Sequence, residues 1–134
     1  MRVLIDTNIL FSAIYSQNGI PHQAFKKVLG SSYQCLICEY CIDELRRIFR
    51  NKFPHMKKAA EDFITAALPM VEIVRVPEDI HEEESKIRDV NDRPILRAAI
   101  NAEADILLTG DSDFLESGIE TPRIMKATEF LDLP

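Results

Sequence analysis

Short apolar runs alternate with amphipathic stretches along the chain, a pattern that favours a mostly parallel sheet covered by helices. The runs have the length of buried strands, and the stretches between them repeat apolar residues at helical spacing. The predicted strands are residues 2–6, 33–38, 71–76, 105–109 and 123–125. The predicted helices are residues 8–15, 21–30, 39–51, 54–68 and 92–102, followed by a terminal helix that runs through Phe130.

These elements predict a single α/β domain over residues 1–134, because no repeat, linker or low-complexity tract divides the chain. Right-handed crossover connections are compatible with the strand order 3-2-1-4-5. In that order the first and fourth strands are neighbours, and ligands of open parallel sheets bind beyond the carboxyl ends of the strands where the order reverses. Asp6 ends the first strand and Asp111 follows the fourth, so we expect their carboxylates to lie close together.

Two further acids lie on predicted helices that could reach the same edge of the sheet. Asp92 precedes the apolar positions of its helix by three, four and seven residues, which puts it on the inward stripe at the first turn. Glu44 lies at the edge of the buried stripe of the helix over residues 39–51. Carboxylates gathered in this way repel one another unless a positive group binds them, and a divalent metal ion is the usual solution. The pattern therefore favours a metal-dependent hydrolase.

Each of these acids also has an ordinary structural explanation, and the residues alone leave both open. Asp6 is a good helix N-cap after a strand, and residues 111–113 could form a turn and a cap. Asp92 could cap the helix ahead of Pro94, and Glu44 could be a peripheral salt-bridge partner.

The charge of the chain is unevenly distributed, although its net value is −6. Residues 1–75 carry a net charge of +3 and residues 76–134 a net charge of −9. An acidic chain is a poor general binder of nucleic acid, because affinity for phosphate depends mainly on Lys and Arg. Residues 46–58, however, hold six basic residues and no acid. This segment is either a solvated helical face or a positive rim beside an acidic, metal-binding cleft. Its basic residues are Arg46, Arg47, Arg50, Lys52, Lys57 and Lys58.

Other candidate sites are weaker. The odd count of cysteines argues against a disulfide framework, and Cys35, Cys38 and Cys41 lack the fourth ligand of a zinc site, so packed free thiols are expected. The three histidines are scattered and are expected at the surface, as is the acidic run over residues 82–84. No glycine-rich phosphate loop, signal-peptide layout or membrane-spanning apolar run is present, which favours a cytoplasmic protein.

Four short motifs occur in an order and spacing that resemble a known family. They are VLIDTNIL at residues 3–10, EL at 44–45, RDVNDRPIL at 88–96 and ADILLTGDSDFL at 104–115, and TEFL at 128–131 also fits. Together they cover nearly the whole chain and resemble the PIN domain family. The similarity is greatest to short bacterial PIN proteins of the VapC type, the toxins of toxin–antitoxin pairs.

The resemblance implies a magnesium- or manganese-dependent endoribonuclease that cleaves single-stranded or loop RNA with a metal-activated water. The implied acidic quartet is Asp6, Glu44, Asp92 and Asp111, with Asp89 as the alternative third acid. Asp113 would add a metal ligand, and Asn8 and Thr109 would support the site. Relatives often carry Asp or Asn after the third acid, where this chain has Arg93, a cation that could grip the phosphate or lower metal occupancy. The expected RNA-binding residues are Arg46, Arg47, Arg50, Lys52 and Arg93.

The resemblance also implies partners, and rival functions stay open. A neutralising antitoxin is possible, and a homodimer is expected, with the helix over residues 54–68 offering an apolar stripe. A haloacid-dehalogenase-like phosphatase shares an Asp after the first strand but needs a second Asp where Asn8 stands. A receiver domain shares the topology but lacks the expected acceptor Asp and Lys. The non-enzymatic rival is a PIN fold that binds RNA or protein without cleaving.

Overall fold

The computed structural model describes all 134 residues. Five parallel strands form one sheet in the order β3-β2-β1-β4-β5, and helices flank it. This confirms the predicted fold class and strand order. The strands are β1 (Arg2–Ile5), β2 (Gln34–Cys38), β3 (Glu72–Val74), β4 (Ile106–Leu108) and β5 (Arg123–Met125). The helices are α1 (Thr7–Tyr15), α2 (Ile20–Val28), α3 (Glu39–Lys52), α4 (Lys57–Ala67), α5 (Arg93–Asn101), α6 (Ser112–Leu115) and α7 (Ala127–Leu131).

The central strand β1 is covered on both faces, so Val3, Leu4 and Ile5 are completely buried. Continuous apolar runs are characteristic of such strands, because helices pack on both sides of a parallel sheet. β1 pairs with β4 in a register that sets Ile5 opposite Leu108. The next residue along each strand therefore leaves the sheet at the same level, and the Asp6 N–H donates to the Leu108 carbonyl at 3.0 Å.

Several predicted boundaries differ from the structure for local reasons. The helix expected over residues 54–68 is divided into a 3-10 turn, Pro54–Met56, and α4. The third strand is shorter than expected, because only Glu72–Val74 pairs with β2. The four-residue helix α6 was not predicted, since one turn between two polar loops gives no periodicity to detect.

The loop between β3 and α5 is more buried than predicted. Its acidic run was expected to be solvated, but Glu84 is 2% exposed and its carboxylate is bound by the Arg97 guanidinium through two hydrogen bonds of 3.0 and 2.8 Å. Arg97 also donates to the Pro77 carbonyl at 3.1 Å. A buried ion pair therefore anchors this loop to α5.

The remaining expectations from composition are mostly met. Cys35, Cys38 and Cys41 are free and buried, as predicted. His55 is exposed, whereas His22 and His81 are half-buried and use Nδ1 in hydrogen bonds to backbone groups, so the surface prediction is wrong for those two. None of the helices combines the length and apolar character needed to cross a bilayer.

The expected apolar stripe of α4 is present but faces inward. Ala60, Ile64 and Ala67 are buried, and the Phe63 ring packs 5.4 Å from that of Phe25. This stripe is used inside the molecule and is not a free surface for a second copy.

Candidate active site

Asp6 lies at the carboxyl end of β1 and is 4% exposed. Its Oδ1 accepts a hydrogen bond from the Thr7 backbone N–H at 2.8 Å, as an N-cap of α1 does. Its Oδ2 accepts from the Thr109 hydroxyl at 2.7 Å. The capping explanation of Asp6 is therefore correct, and the same bonds fix the orientation of a buried carboxylate at the mouth of the sheet.

Thr109 and Asn8 connect the ends of β1 and β4. The Thr109 Oγ1 that donates to Asp6 also accepts from the Asp111 N–H at 3.0 Å. The Asn8 side-chain oxygen accepts from the Gly110 N–H at 3.3 Å. Two strand ends that come from opposite ends of the sequence are thereby held together by side chains.

Asp111 caps α6, because its Oδ1 accepts from the Asp113 N–H at 2.9 Å. Asp92 occupies the N-cap position of α5, yet its side chain makes no capping hydrogen bond. The segment before Asp92 is held by Tyr40 of α3, whose hydroxyl donates to the Asn91 carbonyl at 2.9 Å. Asp92 is therefore positioned by its backbone, and its side chain lines the cleft.

The structure brings the acidic quartet to one cleft of about 460 Å³ at the carboxyl edge of the sheet. None of the four carboxylates forms an ion pair with Lys or Arg. The cleft is lined by Asp6, Thr7, Asn8, Phe11, Glu44, Ile48, Lys52, Phe53, Asp92 and Asp111.

Burial and mutual repulsion raise the pKa of two of these acids. Burial raises the pKa of Asp6 to about 6, and the negative charges of Asp111 and Glu44 add to the effect, against the hydrogen bonds from Thr109 and Thr7. Burial raises the pKa of Asp92 to about 7, and a hydrogen bond with the Asp111 carboxyl group adds to it. Both shifts therefore reflect carboxylates that are buried close to one another without an ion pair to Lys or Arg.

Asp113 and Asp89 are beside the cleft without lining it. Arg88 donates to Asp113 Oδ1 at 2.9 Å and to Glu116 at 2.8 Å, so Asp113 already has a cationic partner. One carboxylate oxygen each of Asp89, Asp92 and Asp113 lie within 4.8 Å of one another. Asp92 thus belongs to both the quartet and this outer group of acids.

The expected basic rim divides into paired and unpaired residues. Arg46 is paired with Glu61 at 3.1 Å and Lys58 with Asp62 at 3.0 Å, both on the exposed surface. Arg47, Arg50 and Lys52 are exposed and form no ion pair. A groove of about 320 Å³ adjoins the acidic cleft and is lined by Glu44, Arg47, Ile48, Asn51 and Lys52.

Arg93 is placed differently from the rest of the rim. It is half-buried, its Nε donates to the Ile87 carbonyl at 2.9 Å, and it does not line the acidic cleft. The structure therefore gives Arg93 a role in holding the loop before α5.

Sequence reasoning missed three residues of this site. Tyr40 holds the segment before Asp92, and its own pKa is raised by burial and by the charges of Glu44 and Asp92. Phe11 and Phe53 form an apolar wall of the cleft. Aromatic residues at helical spacing normally indicate a core, so nothing in the sequence marked these two as parts of a site.

The donor set of the cleft fits a hard divalent cation. The four carboxylates of the cleft offer only oxygen ligands, which is the chemistry that Mg²⁺ and Mn²⁺ prefer. The hydroxyl of Thr7 is buried at the cleft and finds no hydrogen-bond partner in the protein, so a bound water or ligand could satisfy it.

The sequence profile of the PIN domain family matches residues 2–113. A search of curated proteins finds no match to the chain. Among solved structures, VapBC2 from Rickettsia felis bound to a promoter DNA fragment matches with a TM-score of 0.69 at 18% identity, over 94% of this chain and 98% of that one. DNA-bound VapBC from Salmonella typhimurium matches with a TM-score of 0.69 at 14% identity, over 95% and 98%. Mycobacterium tuberculosis VapC20, a toxin that cleaves the sarcin–ricin loop, matches with a TM-score of 0.59 at 16% identity, over 87% and 95%.

Proposed function

The chain belongs to the PIN domain family, and from that premise we propose that it is a metal-dependent endoribonuclease, the toxin of a toxin–antitoxin pair. One observation carries the proposal. Four carboxylates line one cleft without an ion pair to Lys or Arg, and the pKa values of two of them, Asp6 and Asp92, are raised. The other two are Glu44 and Asp111. An arrangement that costs stability in the free protein is accounted for by a ligand that compensates it.

The residues that would hold Mg²⁺ or Mn²⁺ are Asp6, Glu44, Asp92 and Asp111. Asp113, which lies beside Asp92, would be an additional ligand. When bound, the metal supplies positive charge at the scissile phosphate and lowers the pKa of a water molecule that can attack it. Arg88 binds Asp113 Oδ1 and also Glu116, so Asp113 would contribute its second carboxylate oxygen while this ion pair is intact. We assign the third acid of the quartet to Asp92, which lines the cleft, and a supporting position to Asp89.

The side chains around the quartet orient it. Thr109 donates to Asp6 Oδ2 and helps to fix the orientation of that carboxylate, while Asn8 accepts from the Gly110 N–H and keeps the loop before Asp111 in place. These residues remove rotational freedom from the carboxylates before the substrate arrives, which reduces the entropy cost of reaching a productive geometry.

The RNA backbone would approach along the groove next to the cleft, where Arg47 and Lys52 are free to contact phosphates. Arg50 extends the same exposed face of α3, and Arg46 would first have to leave Glu61. Single-stranded or loop RNA is the proposed substrate, because only unpaired bases can be splayed against the walls of such a cleft. An affinity for RNA that does not depend on salt concentration would refute this path.

A cleavage assay on cellular RNA tests the activity. Wild-type protein with Mg²⁺ or Mn²⁺ should give fragments with 5′-phosphate and 3′-hydroxyl ends, and EDTA should abolish cleavage. Asp6→Asn and Asp111→Asn should each reduce the rate by about 10²-fold or more, because each removes a charge that the metal requires. Asp79→Asn, an exposed Asp outside the cleft, is the matched control and should cleave like the wild type.

The same assay separates the alternatives. Metal-independent RNA binding without cleavage by the wild type would indicate a PIN fold that binds without catalysis. Trapping of an acyl phosphate on Asp6 would indicate the phosphatase.

The partners are also proposed from the comparisons. Two structural neighbours are toxin–antitoxin complexes bound to DNA, which favours an antitoxin partner for this chain. We further propose a homodimer, for which the exposed apolar side chains at the β3 edge, Leu68, Met70 and Ile73, are available now that the α4 stripe is excluded. A monomer mass in light scattering at high protein concentration would refute the dimer. An RNA substrate favours the cytoplasm as its location.

A further inference from the structure

Four aromatic rings form a continuous cluster beside the acidic cleft. Phe11 of α1 lies at the centre, with ring centroids 5.2 Å from Phe49, 5.3 Å from Phe53 and 5.6 Å from Tyr15. Tyr15 and Phe53 are also in edge contact at 5.6 Å. Phe49 is 1% exposed and anchors the cluster in the core, so the outer rings rest on a rigid base.

Three rings of this cluster, those of Phe11, Phe53 and Tyr15, are partly exposed to solvent. Phe11 and Phe53 line the acidic cleft, and Tyr15, which contacts both of them, is 56% exposed. Tyr15 stacks on Phe11 with an interplanar angle of 24°, so the aromatic surface continues from the cleft residue Phe11 to an exposed ring. The rings are held in place by packing inside the protein, yet their outer surface has no partner.

The charges around the rings select one class of ligand. Lys52 lines the same cleft as Phe11 and Phe53, and it adjoins the groove that contains Arg47. An aromatic face next to free cations and an acidic metal-binding cleft matches a nucleotide, which presents a flat base beside a phosphate. A protein segment would match the apolar rings equally well, but it would not require cations and a metal site next to them.

We propose that Tyr15, Phe11 and Phe53 form a stacking site for one unpaired base of the RNA substrate, next to the phosphate that is cleaved. The inference rests on the proposed nuclease function and adds to it, because it names a feature of the substrate. The base stacks on the exposed aromatic wall, Lys52 contacts the neighbouring phosphate, and the backbone then enters the acidic cleft. The site requires an unpaired nucleotide, because a base in a duplex cannot turn out to reach the wall without being unpaired first.

Tyr15→Ala and Tyr15→Phe test the stacking directly. The probes are two single-stranded RNAs of the same length and random sequence, one normal and one with abasic positions. Tyr15→Ala should bind normal RNA about tenfold more weakly than the wild type, because it removes one stacking partner. Tyr15→Phe retains the ring and should bind like the wild type. All three proteins should bind the abasic RNA equally, because only the base is missing from it.

Ile80→Ala is the matched control, since Ile80 is a 77% exposed apolar residue far along the chain from the cluster. A 2-aminopurine base in the RNA provides a second signal, because its fluorescence should be quenched by the wild type and Tyr15→Phe but less by Tyr15→Ala. Equal binding of normal RNA by Tyr15→Ala and the wild type would overturn the stacking site and leave the nuclease proposal intact. If Tyr15→Ala binds normal RNA like the wild type but binds the antitoxin more weakly, the rings form a contact surface for the antitoxin and not for RNA. Failure of the wild type to bind any RNA would refute the nuclease proposal itself.

Discussion

Glu84 and the acidic quartet lie in opposite electrostatic surroundings. Glu84 is 2% exposed and is held by the Arg97 guanidinium and the His81 N–H, which keep the pKa of Glu84 below its usual value. Asp6 is 4% exposed, and burial raises its pKa to about 6, with a smaller contribution from the charges of Asp111 and Glu44. The two side chains are similarly shielded from solvent, but Asp6 lies deeper in the protein, and only Glu84 is paired with a cation of the chain.

This difference separates an acid that stabilises the fold from the acids that we propose bind a metal ion. Glu84 anchors the loop before α5 and is fully compensated, so it has no capacity left for a metal or a substrate. The quartet is uncompensated, and its repulsion is a cost that the free protein bears. A raised carboxylate pKa in a cleft is therefore more informative about function than burial alone.

Removing the built-in cation should have the largest effect. Arg97→Met should lower the free energy of unfolding by about 3–5 kcal/mol, because it leaves the buried Glu84 carboxylate without its partner. Urea unfolding followed by circular dichroism measures the loss. Lys86→Met breaks the exposed Glu83–Lys86 pair of the same loop and should leave the free energy of unfolding close to that of the wild type.

The double variant Glu84→Gln/Arg97→Met provides a further control. It removes the stranded charge and should regain part of the stability lost in Arg97→Met. A loss in Arg97→Met no larger than in Lys86→Met would show that the Glu84 pair is not the anchor that its burial suggests.

Supplying a cation to the quartet should have the next largest effect. Mg²⁺ at about one hundred times its dissociation constant should stabilise the wild type by about 2.7 kcal/mol, because it binds the folded state alone. Thermal unfolding with Mg²⁺ and with EDTA measures the shift. Asp6→Asn and Asp111→Asn should shift less, since each removes a ligand charge, while Asp79→Asn should shift like the wild type. Equal shifts in all four proteins would place the metal elsewhere.

The fold was predictable from the sequence because its signals are local and repeated. Each strand is a short apolar run, and right-handed crossovers are compatible with the order 3-2-1-4-5, in which the strands before Asp6 and Asp111 are neighbours. The bounds of α4 and β3 were less accurate, because a 3-10 turn at Pro54–Met56 and a short edge strand carry weak patterns.

The candidate site was predictable only in part, because its details depend on contacts between distant residues. Outside the site, the burial of Glu84 was not predictable, because Glu84 lies within a run of like charges and its partner Arg97 follows thirteen residues later on another element. The pairing of Arg46 with Glu61 across two helices was equally invisible. The catalytic roles of the quartet remain predictions, which the assays above test.

The opposite signs of the pKa changes give the two groups opposite dependences on pH, and this effect should be the smallest of the three. For Asp6 and Asp92 the pKa is raised in the folded protein, from 3.8 to about 6 and about 7. Their contribution to stability is therefore complete at low pH and is lost as the pH rises through these values. In EDTA the free energy of unfolding should fall by about 2 kcal/mol between about pH 5 and pH 7.5, since the two groups share their repulsion and the shifts do not add.

Glu84 does not interfere in this range. Its pKa is lowered, so its stabilising contribution is lost only as the pH falls below the usual range of a Glu. Asp92→Asn should flatten the fall measured by urea unfolding, because the amide does not ionise, whereas Asp79→Asn should parallel the wild type. Mg²⁺ should flatten the wild-type curve in the same way, since a bound cation removes the reason for retaining protons. A curve that stays equally steep in Asp92→Asn and in Mg²⁺ would show that the proton uptake near neutral pH belongs to other groups, and the contrast between Glu84 and the quartet would no longer hold.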